Sequence, residues 1–148
     1  MAIDVGSHAP AVPGVAVAGP HALVFYKATC SVTRMAGPPL ARLGSSYPGA
    51  VVGVGQDPPA DLDAFARDAA WGFPQVADLA PYEASDAYGI ASAPTVVVVD
   101  ANGTVADVVE SWDREGMNRA SGMLASLLGV EPATLSTPDD GLPDFKPG

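Results

Sequence analysis

The chain has 148 residues, 48% of them hydrophobic and 16% charged, which suits one domain with its own core and excludes a disordered chain. Seventeen acids against seven bases leave a formal charge of −10, which argues against a nucleic-acid backbone or an anionic membrane as partner. A single cysteine, Cys30, and two histidines exclude an internal disulfide and a Cys-rich zinc site, and no metal or cofactor is expected.

Met1 to Gly14 has no basic stretch and no apolar run of the kind a signal peptide needs, so a cytoplasmic location is expected. No segment approaches the roughly 20 apolar residues of a membrane helix. His8 and His21 lack metal-ligand spacing and read as loop or surface residues. Gly14 to Val17 reads as a short edge strand. Ala22 to Tyr26 is a continuous apolar run, the pattern of a buried central strand. Val32, Met35, Ala36, Leu40 and Leu43 fall near helical spacing over Ser31 to Leu43, with a kink expected at Pro38 and Pro39.

Ala50 to Val54 is a second buried strand, closed by a Gly- and Pro-containing stretch. Asp61 to Trp71 reads as an amphipathic helix on Leu62, Phe65, Ala66, Ala69 and Ala70. Tyr82 to Tyr88 is a short helix stopped by Gly89. Thr95 to Val99 is the clearest strand. Asn102-Gly103 is a hairpin signal that returns the chain through Thr104 to Val109. Gly116 to Leu128 is the last helix, stopped by Gly129. Trp71, Phe73 and Trp112 read as core or edge packing.

The first half alternates strands and helices and implies parallel pairing, while the second half is an antiparallel hairpin closed by a helix. The expectation is an α/β sandwich with a mixed central sheet flanked by helices, over residues 1–129. Residues 130–148 differ in character. From Glu131 they hold four prolines, four acids and one base with no periodicity. They read as a flexible acidic tail or an arm lying over the domain.

Cys30 directly follows a buried strand and directly precedes a helix. There a sulfur is placed to accept from the free backbone N–H groups of Val32 and Thr33, as an N-cap does, and both these groups and the helix dipole favour the thiolate. Lys27 and Arg34 add nearby positive charge. Against this stands a small buried hydrophobe, the ordinary role of a lone cysteine. Gly53-Val54-Gly55 is only a fragment of a dinucleotide loop, since Pro58 occupies the third glycine position.

The segment Leu23-Val24-Phe25-Tyr26-Lys27-Ala28-Thr29-Cys30-Ser31-Val32-Thr33 resembles the active-site strand and loop of thioredoxin-like proteins, nearest the branch of TlpA-like proteins and their AhpC/TSA-type peroxiredoxin relatives. A proline eight or nine residues on is matched by Pro38 or Pro39. Ser92-Ala93-Pro94-Thr95 resembles the family's cis-proline loop, and Val99 to Val105 its following hairpin. Val5 to Pro10 is similar to the opening of cytoplasmic-type members. The likeness implies a thioredoxin-like fold from about Val5 to Leu128. It implies that Cys30 is the attacking cysteine, that Thr33 stands in place of the resolving cysteine, and that Pro94 is cis, with the backbone of Ala93 open to an extended substrate.

The chain departs from the family where Cys-x-x-Cys becomes Cys-x-x-Thr and where the buried acid of thioredoxins corresponds to Val24. Peroxiredoxins place their cysteine about a helical turn further on, near Arg34, so that pattern is not met. The resemblance therefore implies a monothiol thiol–disulfide oxidoreductase in which Cys30 attacks, Thr33 hydrogen-bonds the sulfur and an external thiol resolves the mixed disulfide. A one-Cys peroxide reductase and a non-catalytic binding module are the alternatives. The expected partner is a protein or low-molecular-weight thiol or disulfide, and the oligomeric state stays open.

Overall fold

The computed structural model describes residues 1–148. The apolar run identified above becomes β1 (His21–Tyr26), the central strand of a five-stranded sheet. It runs parallel to β2 (Val51–Gly55), with Ala22 opposite Val51. On its other side it is antiparallel to β4 (Thr95–Val99), with Leu23 opposite Val97. The strand β3 (Gln75–Ala77) extends the parallel side and β5 (Val105–Glu110) the antiparallel side. All but the first residue of β1 are buried, because both faces of the sheet are covered.

Alternate residues serve the two faces. Ala22, Val24, Tyr26, Val96 and Val98 point to the larger core, which also holds Leu40, Leu62, Met117 and Leu124. Leu23, Phe25, Val97 and Val99 point to a smaller core with Ala84 and Tyr88. The larger core is closed by α1 (Ser31–Met35), α2 (Gly37–Ser46), α3 (Pro59–Asp68) and α5 (Arg114–Leu128), the smaller by α4 (Glu83–Ala87) and the N-terminal segment. The fold is therefore a mixed α/β sandwich.

Several boundaries differ from the sequence reading. The break between α1 and α2 falls at Ala36, before the prolines rather than on them. Pro38 and Pro39 lack an N–H and fit only a first helical turn, so α2 has to start at Gly37. The helix α3 begins at Pro59 and ends at Asp68, with Ala70 in a left-handed conformation just beyond (φ 57°). Gly14 to Val17 forms no strand; Val15 and Val17 instead pack from a loop against the smaller core. The glycines of β2 serve close packing. A Cβ at Gly53 would lie 1.9 Å from Gln75 Oε1, the atom that accepts the Tyr26 hydroxyl at 2.7 Å.

Residues 130–148 lie over the domain as an arm. Leu135 is 1% exposed within the larger core. The Arg114 side chain, at the start of α5, is buried and donates to Ser136 Oγ (3.0 Å), the Leu142 carbonyl (2.6 Å), Asp140 and Asp144. Trp112 Nε1 donates to the Pro143 carbonyl at 2.7 Å. The last residues form β7 (Phe145–Lys146), antiparallel to β6 (Trp112–Asp113).

Candidate functional site

Cys30 is the N-cap of α1, in extended conformation (φ −79°, ψ 125°). The loop from β1 turns into it through the Cys30 N–H bond to the Lys27 carbonyl (3.1 Å). Asp57 Oδ2, beyond β2, accepts the Ala28 N–H at 2.7 Å and fastens that loop. The sulfur is half-buried and takes no N–H of the helix. It instead faces the Ala93 carbonyl, to which the thiol donates at 3.5 Å. The expected capping of Val32 and Thr33 is therefore absent, because a carbonyl acceptor lies across the loop and turns the sulfur away from the first turn of α1.

The Ala93–Pro94 peptide bond is cis. Two bonds pin this loop: the Thr95 hydroxyl donates to the Ser92 carbonyl (2.8 Å), and the Ser111 N–H to the Pro94 carbonyl (2.9 Å). Pro94 is buried behind the loop. Neither the N–H nor the carbonyl of Ala93 has a backbone partner. The Ser92 hydroxyl is buried without any partner. Both residues line a cavity of about 290 Å³ with Phe25, Tyr26, Lys27 and Cys30.

Cys30 and Ala93 thus meet, and Thr33 does not join them. Thr33 is fully buried one turn into α1, and its hydroxyl makes no hydrogen bond, to sulfur or to anything else. The expected Thr33–sulfur bond is absent because the sulfur is committed to Ala93. No Asp or Glu side chain lines the cavity, and Lys27 is its one charged side chain. The Tyr26 phenol is held protonated, far above its ordinary pKa, chiefly by burial and further by Asp57 and Asp63. It serves Gln75 rather than proton transfer at Cys30. Val24 is buried in the core, with no acid in its place. Nowhere do three His, Cys, Asp or Glu side chains converge to hold a metal. No helix is long and apolar enough to cross a membrane.

Sequence reasoning placed Lys27 near Cys30 and Ser92 in the cis-proline loop, but missed Gln56, Ile90, Ala91 and Gly148. Their places follow from the return of distant segments to one end of β1, for which no local pattern exists.

This strand–Cys–helix junction facing a cis-proline loop, on a β3-β2-β1-β4-β5 sheet, is the arrangement of a thioredoxin-like fold. Solved structures share the fold. A putative thiol:disulfide interchange protein DsbE from Chlorobium tepidum is 21% identical, with a TM-score of 0.70 over 86% of this chain and 99% of that one. A secreted Mycobacterium tuberculosis disulfide oxidoreductase homologous to E. coli DsbE is 22% identical, with a TM-score of 0.61 over 74% and 82%. Mycobacterium tuberculosis DsbF is 25% identical, with a TM-score of 0.61 over 73% and 82%. None of the curated proteins matches the sequence. The AhpC/TSA family matches residues 15–108, more than half of the chain, and the protein belongs to that family.

Proposed function

We propose that the protein is a monothiol thiol–disulfide oxidoreductase acting through Cys30. The observation that carries this reading is the half-buried sulfur 3.5 Å from the carbonyl of Ala93, a residue whose two backbone polar groups have no backbone partner. An N–H and a carbonyl on one residue, both free of backbone partners, match the two hydrogen bonds an extended peptide offers, as in strand addition. A peptide docked there presents its disulfide to Cys30.

In the first step the Cys30 thiolate attacks one sulfur of the substrate disulfide. A Cys30–substrate S–S bond forms, the substrate S–S bond breaks, and the electron pair leaves on the other substrate sulfur. With threonine at position 33, an external thiolate then attacks the mixed disulfide and releases Cys30. Resolution within the chain would need a second thiol. The partners are a disulfide-bearing protein and a low-molecular-weight or protein thiol. A cytoplasmic setting agrees with the likeness of Val5 to Pro10 to such members and with thiol resolution in a reducing compartment.

Incubation with an oxidised peptide tests the reading. The wild type should give a 1:1 covalent adduct that glutathione releases, and Cys30→Ser should give none. Consumption of hydrogen peroxide with no peptide adduct would establish the one-Cys peroxide reductase instead. Peptide binding without an adduct or peroxide turnover would establish a binding module.

A further inference from the structure

The groove at Cys30 is not open along its whole length, because Gly148 lines it beside Ala93. A Cβ on Gly148 would lie 1.9 Å from the Ala93 carbonyl oxygen and 2.8 Å from its carbon. That oxygen therefore has the Cys30 thiol on one side and the Gly148 backbone on the other. The Gly148 N–H does not bond to it and donates to Ser111 Oγ at 3.1 Å. An extended chain seeking the polar groups of Ala93 meets Gly148 first.

The arm divides into a fixed base and a light tip. At the base, Leu135 is in the core, Asn118 Oδ1 accepts the Leu135 N–H (2.8 Å), and Arg114 and Trp112 hold the Leu142 and Pro143 carbonyls. The tip has far less. Its attachment is a ladder of two residue pairs, Trp112 with Lys146 and Asp113 with Phe145, plus the Gly148 bond to Ser111. Phe145 is 56% exposed, and every residue from 143 to 148 is exposed. A segment with few buried apolar contacts opens locally at low cost while the base stays docked.

We propose that residues 145–148 are a displaceable strap, a segment of the chain itself seated in the groove beside Ala93, that excludes extended substrates from Cys30 until it lifts. Glycine at 148 is what lets the strap seat, since any side chain would collide with backbone. The proposal rests on the reading of Ala93 as the substrate-docking residue, and it concerns extended substrates only; a small reagent reaches the half-buried sulfur past the strap.

The wild-type chain is compared with Gly148→Ala and Gly148→Val. One probe is an octapeptide carrying a central cysteine as its thionitrobenzoate disulfide, and the other is dithiobis(nitrobenzoate). With the peptide probe, the Cys30 thiolate attacks the peptide sulfur. The Cys30–peptide S–S bond forms, the peptide–thionitrobenzoate bond breaks, and the coloured thionitrobenzoate leaves with the electron pair. The rate with the peptide, divided by that with the small reagent, should rise about tenfold in both variants, the ratio that one or two net backbone hydrogen bonds supply. An unchanged ratio overturns the proposal, and so does an equal rise with both probes, which would mean that Cys30 itself has changed. If Cys30 reacts with neither probe, the oxidoreductase reading fails, and amide exchange at position 148 decides the strap. That amide should exchange about tenfold slower than in an unstructured chain in the wild type, and at the unstructured rate in Gly148→Val. No protection in the wild type, or equal protection in both, overturns the strap.

Discussion

Arg42 Nε donates to the Leu135 carbonyl at 2.8 Å, joining α2 to the arm across 93 residues of sequence. Leu135 sits at 1% exposure beneath this bond, so the arm contributes to the main core rather than trailing from it.

Leu135→Ala should cost about 2–5 kcal/mol, the range for truncating a buried leucine. Removal of residues 131–148 should cost more, because it also strips Arg114 of its carbonyl and carboxylate partners. Leu142, only partly buried against the core, should cost less than Leu135 when cut to alanine. Urea unfolding of the three variants gives the order. A truncated chain as stable as the wild type would show that the arm is not part of the fold.

The arm should also respond to acid. Asp140 is held down at about 2, below its ordinary 3.8, first by the Ser136 hydroxyl, then by the Leu142 N–H, with Arg114 adding to both. A carboxyl depressed in the folded state stabilises above its unfolded value and loses that contribution as pH falls through its folded one. The gap in melting temperature between wild type and Asp140→Asn should be complete above pH 4 and close as pH falls towards about 2. A gap constant across that window would show that Asp140 is not paired in the arm.

Thr33→Val should be neutral or stabilising by about 1 kcal/mol, because the buried hydroxyl has no partner and its loss removes an unsatisfied group. For a chain of this size that is a rise of about 2–4 °C, read by calorimetry. A marked fall would mean that the hydroxyl is bonded in solution.

Thr33→Cys should close a disulfide with Cys30 within one chain. The two positions bracket the first turn of α1, and a disulfide needs Cα atoms about 4.4–6.8 Å apart. Mass spectrometry should show an oxidised monomer. The variant should also reduce insulin with dithiothreitol, in part only, as Val24 supplies no acid. Free thiols or dimers alone would mean that the two residues are not one turn apart.

Much of this was legible in the sequence where burial is continuous. β1, β2 and β4 are unbroken apolar runs because both sheet faces are covered, and such runs need no partner to be recognised. β3 was not legible. It is three residues long, and its place on the sheet edge comes from pairing Val76 with Val54, not from any pattern of its own. Cys30 and Ala93 could be singled out from strand, turn and proline order. The direction of the sulfur could not, because its acceptor lies 63 residues away. Leu135 is one apolar residue in an aperiodic stretch, and Arg114 reads as an ordinary surface charge until the arm folds over it.

The single thiol has a consequence for stoichiometry. Within these 148 residues any S–S bond at Cys30 spans two molecules, whereas a dithiol closes a ring on itself. At a fixed redox potential, ring closure needs no second protein. The oxidised fraction at Cys30 is set instead by the ratio of the disulfide that supplies the other sulfur to the thiol released when Cys30 attacks it. The redox state of this protein therefore reports an amount of partner as much as a potential.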